Sequence, residues 1–510
     1  MAVKIDKRKG FLNISVSVGF KLIIMIVSII VKRFLIQSCG NEVNGLNSLY
    51  LSIIGFLSVA ELGIGSAITF CMYKPVVEGE TNKVSAVYQL FNRIYFIVGG
   101  IILFSGLALT PFIGYFAKDY NQLDVNMYLT FILMLISVVM TYSYGAKSAL
   151  INAHKNNYIT SAIFSSGSLL QYGLQILVLL VTKSFEWYLI CRTISALAQG
   201  VATEIIARKK YNSIIVNKQK VDSESKKELI KSTKAMFMHK AGVLLVNTVD
   251  SVIISAFVGV VSLGEYSNYN AILVSLTGII SLVFSSLTSV LGHLYVESNK
   301  DTSRRYCELF HLINFILGVV FYLGYYAIID NLIAILFSAD LIVSQSISLV
   351  ITLNGFIQFL RKSVLVFRDA TGTFYNDRWK PLVEGMVNIV LSVCFVKWIG
   401  VAGVIIATII TNLVICHIVE PYVLYKNAFA SSPKIYYIRN YGMILLFFVA
   451  IIAYDFCMVS IENAMAELIV NGFISVGISM VVCGIALLMN WKTSKSLIKG
   501  VIKKRKVRTV

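Results

Sequence analysis

The chain is poor in charge, in proline and in metal-binding side chains. Only 14% of its 510 residues are Asp, Glu, Lys or Arg, where soluble domains carry nearer a quarter. That scarcity excludes a surface made mainly for water. Five prolines leave long stretches free to form uninterrupted helix. The five histidines are scattered and form no HExxH pair, so no metal site is expected. The eight cysteines, at 39, 71, 191, 307, 394, 416, 457 and 483, form no CxxC and lie mostly inside or at the ends of apolar runs. They read as small buried hydrophobes. Enzyme motifs are missing too. Gly259-x4-Gly264 is followed by Glu265 instead of Lys-Ser/Thr, no GxSxG occurs, and no acidic cluster lies on a sizeable outer segment. No catalytic residue and no cofactor are expected, and the chain does not read as an enzyme.

What is present is apolar length. The chain is 57% hydrophobic with a mean hydropathy of +0.77, and its apolar runs repeatedly reach about 20 residues, the length of a helix crossing a bilayer. β-Barrel strands are about half as long and alternate, so the expected fold is an all-α integral membrane protein. About fourteen spans are predicted, near 11–31, 44–70, 91–115, 127–150, 158–181, 185–206, 235–258, 269–292, 308–330, 341–367, 381–398, 401–422, 441–459 and 466–490. The start, MAVKIDKRKG before an apolar run, imitates a signal peptide. However, the run ends at Lys32-Arg33 with no small-x-small cleavage site, so it reads as an uncleaved first span.

The net charge of +19 would point to nucleic acid in a soluble protein. Here no aromatics interleave the basic residues, which lie between and after spans and hold those segments in the cytoplasm. With the N-terminus inside, Lys32, Arg33, Lys118, Lys183 and Lys397 fall to the outer side, Lys21, Arg192 and Lys240 are assigned to the spans, and the remaining cations, some at span ends, are assigned to the cytoplasmic side. Both termini are therefore expected in the cytoplasm. The tail Lys503-Lys504-Arg505-Lys506 reads as an anchor near anionic lipid.

An internal echo organises the spans. Without a gap, Gly40, Gly45, Ser48, Tyr50 and Ile53 fall on Gly259, Gly264, Ser267, Tyr269 and Ile272, and at the same offset Lys21 falls on Lys240. The predicted organisation is an N-terminal six-helix lobe at 1–207, a basic cytoplasmic linker at 208–234, a C-terminal six-helix lobe at 235–426, and two extra helices with a basic tail at 427–510. A six-span copy enters the membrane in the same orientation as the original. The two lobes are thus expected to be related by a pseudo-two-fold axis along the membrane normal, with a cleft between them. The charges are lopsided, since Asp250 falls opposite Val31 and Lys32-Arg33 opposite Ser251-Val252.

Charges within spans are the candidate functional residues, because each costs at least about 2.5–3.5 kcal/mol at the bilayer centre unless it meets water, a partner or a cavity. Lys21, Arg192 and Lys240 either line a cavity or are satisfied by ion pairs and snorkelling. Lys32 and Arg33 either snorkel at the outer end of the first span or draw an anion to an outer mouth. Glu61 and Asp250 are the acidic candidates for ion coupling, with pairing to a buried cation as the alternative. The cytoplasmic segment Asn354 to Glu384 holds Arg361, Arg368 and Arg378. Arg361 and Arg368 lie about two helical turns apart on one face, a spacing that suits a diphosphate or internal ion pairs equally.

Three stretches carry a family resemblance: GNEVNGLNSLYLSIIGFLSVAELGIGSAITFCMYKPVVEGE, NTVDSVIISAFVGVVSLGEYSNYNAI and FRDATGTFYNDRWKPLVEGMVNIVLSVCFVKWIGVAGVIIATIITNLVICHIVEPYVLY. They resemble bacterial lipid-linked oligosaccharide flippases of the Wzx type, polysaccharide transporters of the multidrug/oligosaccharidyl-lipid/polysaccharide exporter superfamily. The likeness covers about the first twelve spans. It implies two six-helix lobes around a cationic central cavity, with Lys21, Arg33, Arg192 and Lys240 as matching cavity cations. It also implies alternating access in the bacterial cytoplasmic membrane, moving undecaprenyl-diphosphate oligosaccharide from the inner to the outer leaflet for capsule, exopolysaccharide or O-antigen assembly. A polysaccharide polymerase and a chain-length regulator are the implied protein partners. Two competing classes make different demands. A cation-coupled multidrug exporter of the same superfamily would want acidic cavity residues, whereas the deep charges here lean basic. A glycan polymerase or ligase would want a large outer loop bearing catalytic residues, and the outer loops are short.

Overall fold

A computed structural model describes residues 7–58, 64–120, 124–217, 219, 248–373 and 376–491. The elements run α1 (Lys7–Cys39), α2 (Asn41–Leu57), α3 (Ile64–Glu78), α4 (Thr81–Leu109), α5 (Met127–Ala153), α6 (Asn157–Thr182), α7 (Phe185–Val216) and α8 (Thr248–Phe257). They continue with α9 (Val260–Glu297), α10 (Lys300–Leu336), α11 (Gln345–Thr371), α12 (Lys380–Thr411), α13 (His417–Leu424), α14 (Lys434–Cys457) and α15 (Ala464–Met489). The all-α class expected from the apolar runs is what forms. Among the described residues, nine helical segments are long and apolar enough to cross a bilayer. Glu61 and Lys240, and most of the span predicted at 235–258, lie outside the described residues.

Local chemistry explains where the helices start and stop. Asn126, Ser184, Asn299 and Asn463 cap α5, α7, α10 and α15 by accepting a backbone N–H of the first turn. Pro381 opens α12 and Pro433 immediately precedes α14, positions where a missing N–H is harmless. Pro421 instead lies inside α13, which is flanked by π-helical turns at Asn412–Cys416 and Tyr425–Phe429. The two spans predicted at 381–398 and 401–422 are joined by a kink at Ile399 and Gly400, where φ is +58° at the glycine.

The chain divides into two compact units, Met1–Ser267 and Asn268–Val510, with the boundary inside α9. Each buries an aromatic core, with Tyr50, Phe91, Phe131 and Phe185 in the first and Phe315, Phe356, Phe359 and Phe447 in the second. Large apolar side chains also point outward, including Phe96, Phe104, Trp398, Phe456 and Phe473. In water such a surface would drive association; facing lipid, it needs no cover.

The repeated tyrosines are both fully buried and differently held. In the first unit the Tyr50 hydroxyl donates to the Met127 carbonyl at 2.7 Å and lies 2.9 Å from Thr130 Oγ1. In the second the Tyr269 hydroxyl donates to Asp330 Oδ1 at 2.6 Å and accepts from the Val343 N–H at 3.2 Å. Removing the hydroxyl from Tyr269 withdraws a partner from the half-buried Asp330 carboxylate and from the buried Val343 N–H. Tyr269→Phe is therefore expected to cost about 1–3 kcal/mol and Tyr50→Phe about 1 kcal/mol, measured by unfolding of the purified protein in detergent. Equal losses would mean that the Asp330 contact contributes nothing of its own.

Candidate functional site

The echo in the sequence becomes a helix junction within the first unit. α1 stops at Cys39 because Gly40 takes φ +92°, and α2 begins one residue later. Gly259, its counterpart, takes φ +139° before α9. Both values lie where glycine alone is unstrained. The starts of α2 and α9 then meet at backbone contact. A Cβ on Gly45 would lie 1.9 Å from the Val260 carbonyl oxygen, and one on Gly264 would lie 2.4 Å from the Asn41 carbonyl oxygen. Small residues of this kind let transmembrane helices close to backbone distance.

Polar side chains tie the junction. Asn44 Nδ2 is 3.2 Å from both the Gly264 carbonyl and Ser267 Oγ, and Asn41 Nδ2 donates to the Val261 carbonyl at 3.2 Å. Lys32 completes it, with Nζ donating to the Ser267 carbonyl at 2.8 Å and to its Oγ at 2.9 Å. Beside the α1–α2 turn a cavity of about 610 Å³ is walled in part by Glu42, Asp119, Asp124, Lys183 and Glu186.

The other candidates are dispersed. Lys21 is exposed on α1, Arg33 and Arg192 are half-buried on α1 and α7, and Asp250 is buried on α8. Among the described residues, Lys21, Lys32 and Arg192 form no ion pair with a carboxylate.

The second unit treats its cations in the opposite way. On α11, Arg361 donates through Nη2 to Glu420 Oε1 at 2.7 Å and through Nε to Oε2 at 3.2 Å, a two-point grip from guanidinium to carboxylate. Its Nη1 also donates to Asn412 Oδ1. Lys380 lies between two carboxylates, 2.6 Å from Glu420 Oε1 and 2.8 Å from Glu384 Oε2, with Cys416 Sγ at 3.3 Å. One helical turn pair further along α11, Arg368 meets Asp377 Oδ2 at 2.9 Å. Arg378 is half-buried. The one-face spacing of Arg361 and Arg368 is present, but both guanidinium groups are committed to carboxylates. Internal ion pairs, not an open diphosphate cradle, describe their geometry.

Besides Glu61 and Asp250, the spans carry the acids Glu384, Glu420 and Asp330, which bond to Lys380, Arg361 and Tyr269. Lys380 and Glu384 stand four apart, the spacing of a helical ion pair, and that signal was available. Glu420 reaches the same site from 36 residues beyond Glu384, which no local pattern reveals.

The fold matches lipid II flippase MurJ in an inward closed conformation, with a TM-score of 0.63 at 14% identity over 94% of this chain and 98% of that one. It also matches a multidrug resistance MATE family transporter of the MOP superfamily in its inward-facing conformation, with a TM-score of 0.64 at 13% identity over 79% and 94%. A MOP superfamily transporter from Pyrococcus furiosus matches with a TM-score of 0.53 at 13% identity over 82% and 96%. The chain is thus a multi-pass membrane protein with the all-helical fold of these transporters. Residues 7–290 match the polysaccharide biosynthesis protein family, and the chain belongs to that family. No curated protein matches its sequence.

Proposed function

We propose that the chain is a flippase that moves undecaprenyl-diphosphate-linked oligosaccharide repeat units from the inner to the outer leaflet of the bacterial cytoplasmic membrane. In this reading the termini are cytoplasmic and access alternates through a cationic central cavity. The supporting observation is the contrast between the two units. Lys21, Lys32 and Arg192 have no carboxylate partner among the described residues, whereas Arg361, Arg368 and Lys380 are paired. A cation in a membrane span without an ion pair needs water, an anion or a polar group of the protein; Lys32 has the last in Ser267, which leaves Lys21 and Arg192 as the cations that carry the contrast. A diphosphate crossing hydrocarbon needs cations in return, a few and spaced, so that it is released again. Outward movement of its negative charge is favoured by about 2.3 kcal/mol per charge per 100 mV of inside-negative potential.

The test replaces Lys21, Arg33, Arg192 and Lys240 singly by Ala, verifies insertion, and measures lipid-linked oligosaccharide in each leaflet. At least one variant is expected to accumulate inner-leaflet precursor tenfold or more over the unsubstituted protein. If a deletion accumulates precursor and all four inserted variants do not, the cationic-cavity reading is wrong.

A further inference from the structure

A second feature of the first unit lies away from these charges. A groove of about 430 Å³ runs between α6 and α7, walled chiefly by Ile159, Ile163, Leu170, Ala198, Ala202 and Ile206. The two helices are fastened at two levels. At one level the Ser195 hydroxyl donates to the Gly167 carbonyl at 2.6 Å, and a Cβ on Gly167 would meet the Gln199 side chain at 2.3 Å. At the other, Asn156 donates to the Tyr211 hydroxyl at 2.7 Å, and the His154 and Tyr211 rings lie 4.4 Å apart. Between the fastenings, Ala162, Ala198 and Ala202 are too small to fill the space.

The Asn156–Tyr211 end is cationic. Lys155 precedes α6, and Lys209 and Lys210 follow Ile206 by three and four residues, on the same side of α7. All three are exposed, and none forms an ion pair among the described residues. Nearby Arg208, by contrast, is paired with Glu204. From Tyr158 to Leu170 the groove covers about 18 Å of helix, roughly one leaflet. With the orientation set by the positive residues, that leaflet is the inner one.

From this placement we infer that the groove is an inner-leaflet loading site for the lipid of the substrate, with one isoprenoid chain in the groove and its diphosphate at Lys155, Lys209 and Lys210. The inference rests on the flippase reading for its substrate. Charge complementarity chooses the occupant. One apolar slot and three uncompensated lysines match a single-chain diphosphate, while a phospholipid brings two chains and a single phosphodiester charge.

The full chain in detergent micelles is titrated with undecaprenyl diphosphate and bound lipid is read by native mass spectrometry. Each lysine replaced by Ala is expected to weaken binding about fivefold, and Lys155→Ala/Lys209→Ala/Lys210→Ala together about a hundredfold. Ala162→Trp, at an exposed position, is expected to weaken it at least tenfold by filling the groove, with the thermal midpoint of both variants unchanged. Undiminished binding in the two variants overturns the loading site, as does equal competition by phosphatidylglycerol, which would make the groove a phospholipid seat. Leaflet transport measured in parallel separates the two ideas. Lysine-dependent binding without transport sinks the flippase reading and leaves the site, and transport with unchanged binding does the reverse.

Discussion

Glu420→Ala is expected to destabilise the second unit by about 3–5 kcal/mol, the loss that follows when one member of a buried ion network is removed. Glu420 is almost fully buried and receives two bonds from Arg361 and one from Lys380. Without it, Arg361 and the buried Lys380 share Glu384, whose distance from Arg361 is 3.6 Å. Against a total stability of about 5–15 kcal/mol, this is a large fraction. Glu384→Ala is expected to cost less, about 1–3 kcal/mol, because Arg361 and Lys380 both retain Glu420. The double replacement Glu420→Met/Arg361→Met removes a charge of each sign, leaves Lys380 with Glu384, and is expected to recover most of the loss. Unfolding in detergent decides it: a cost for Glu420→Ala below about 1 kcal/mol, or a double variant worse than the single, contradicts the network. The same logic applies to Arg361→Ala, which is expected to lower the amount of folded protein in the membrane before it affects transport specifically.

This network shows where sequence reading stops. Periodicity and length place the helices, and even the kink at Ile399 and Gly400 falls between two predicted spans. The spacing of Arg361 and Arg368 puts both on α11 and on one face. What local spacing cannot supply is the identity of the groups opposite that face. Glu420 arrives on another helix, beyond the π-turn at Asn412–Cys416, and that turn shifts the facing of every residue after it relative to an uninterrupted α-helix. A diphosphate and a carboxylate pair make the same demand on a guanidinium, so the arginines alone do not distinguish them. The repeat behaves differently. Gly40, Gly45 and their counterparts carry a backbone requirement, and a backbone requirement survives in sequence as the residue type itself.

That requirement yields the second large effect. Gly45→Ala is expected to destabilise the first unit by about 1–3 kcal/mol and to reduce transport more than tenfold. The new Cβ would lie 1.9 Å from the Val260 carbonyl oxygen and 2.9 Å from the Gly264 nitrogen. Backbone atoms cannot turn aside as a side chain can, so α2 and α9 must move apart by more than an ångström. The movement would break the bonds from Asn44 to Gly264 and from Lys32 to Ser267. Gly264→Ala meets the Asn41 carbonyl in the reciprocal way. At the offset of the repeat, Gly45 maps to Gly264 and Asn41 to Val260, so the contact pairs each glycine with the counterpart of the other's neighbour. Such reciprocity is that of a two-fold contact between like surfaces, here made within one chain. The controls are Gly100→Ala and Gly173→Ala, helical glycines with no atom within 4 Å of the added carbon. Those are expected to be neutral or to stabilise by up to about 1 kcal/mol through helix propensity. Transport by Gly45→Ala as good as by the Gly100→Ala control would show that the close approach of α2 and α9 carries no function.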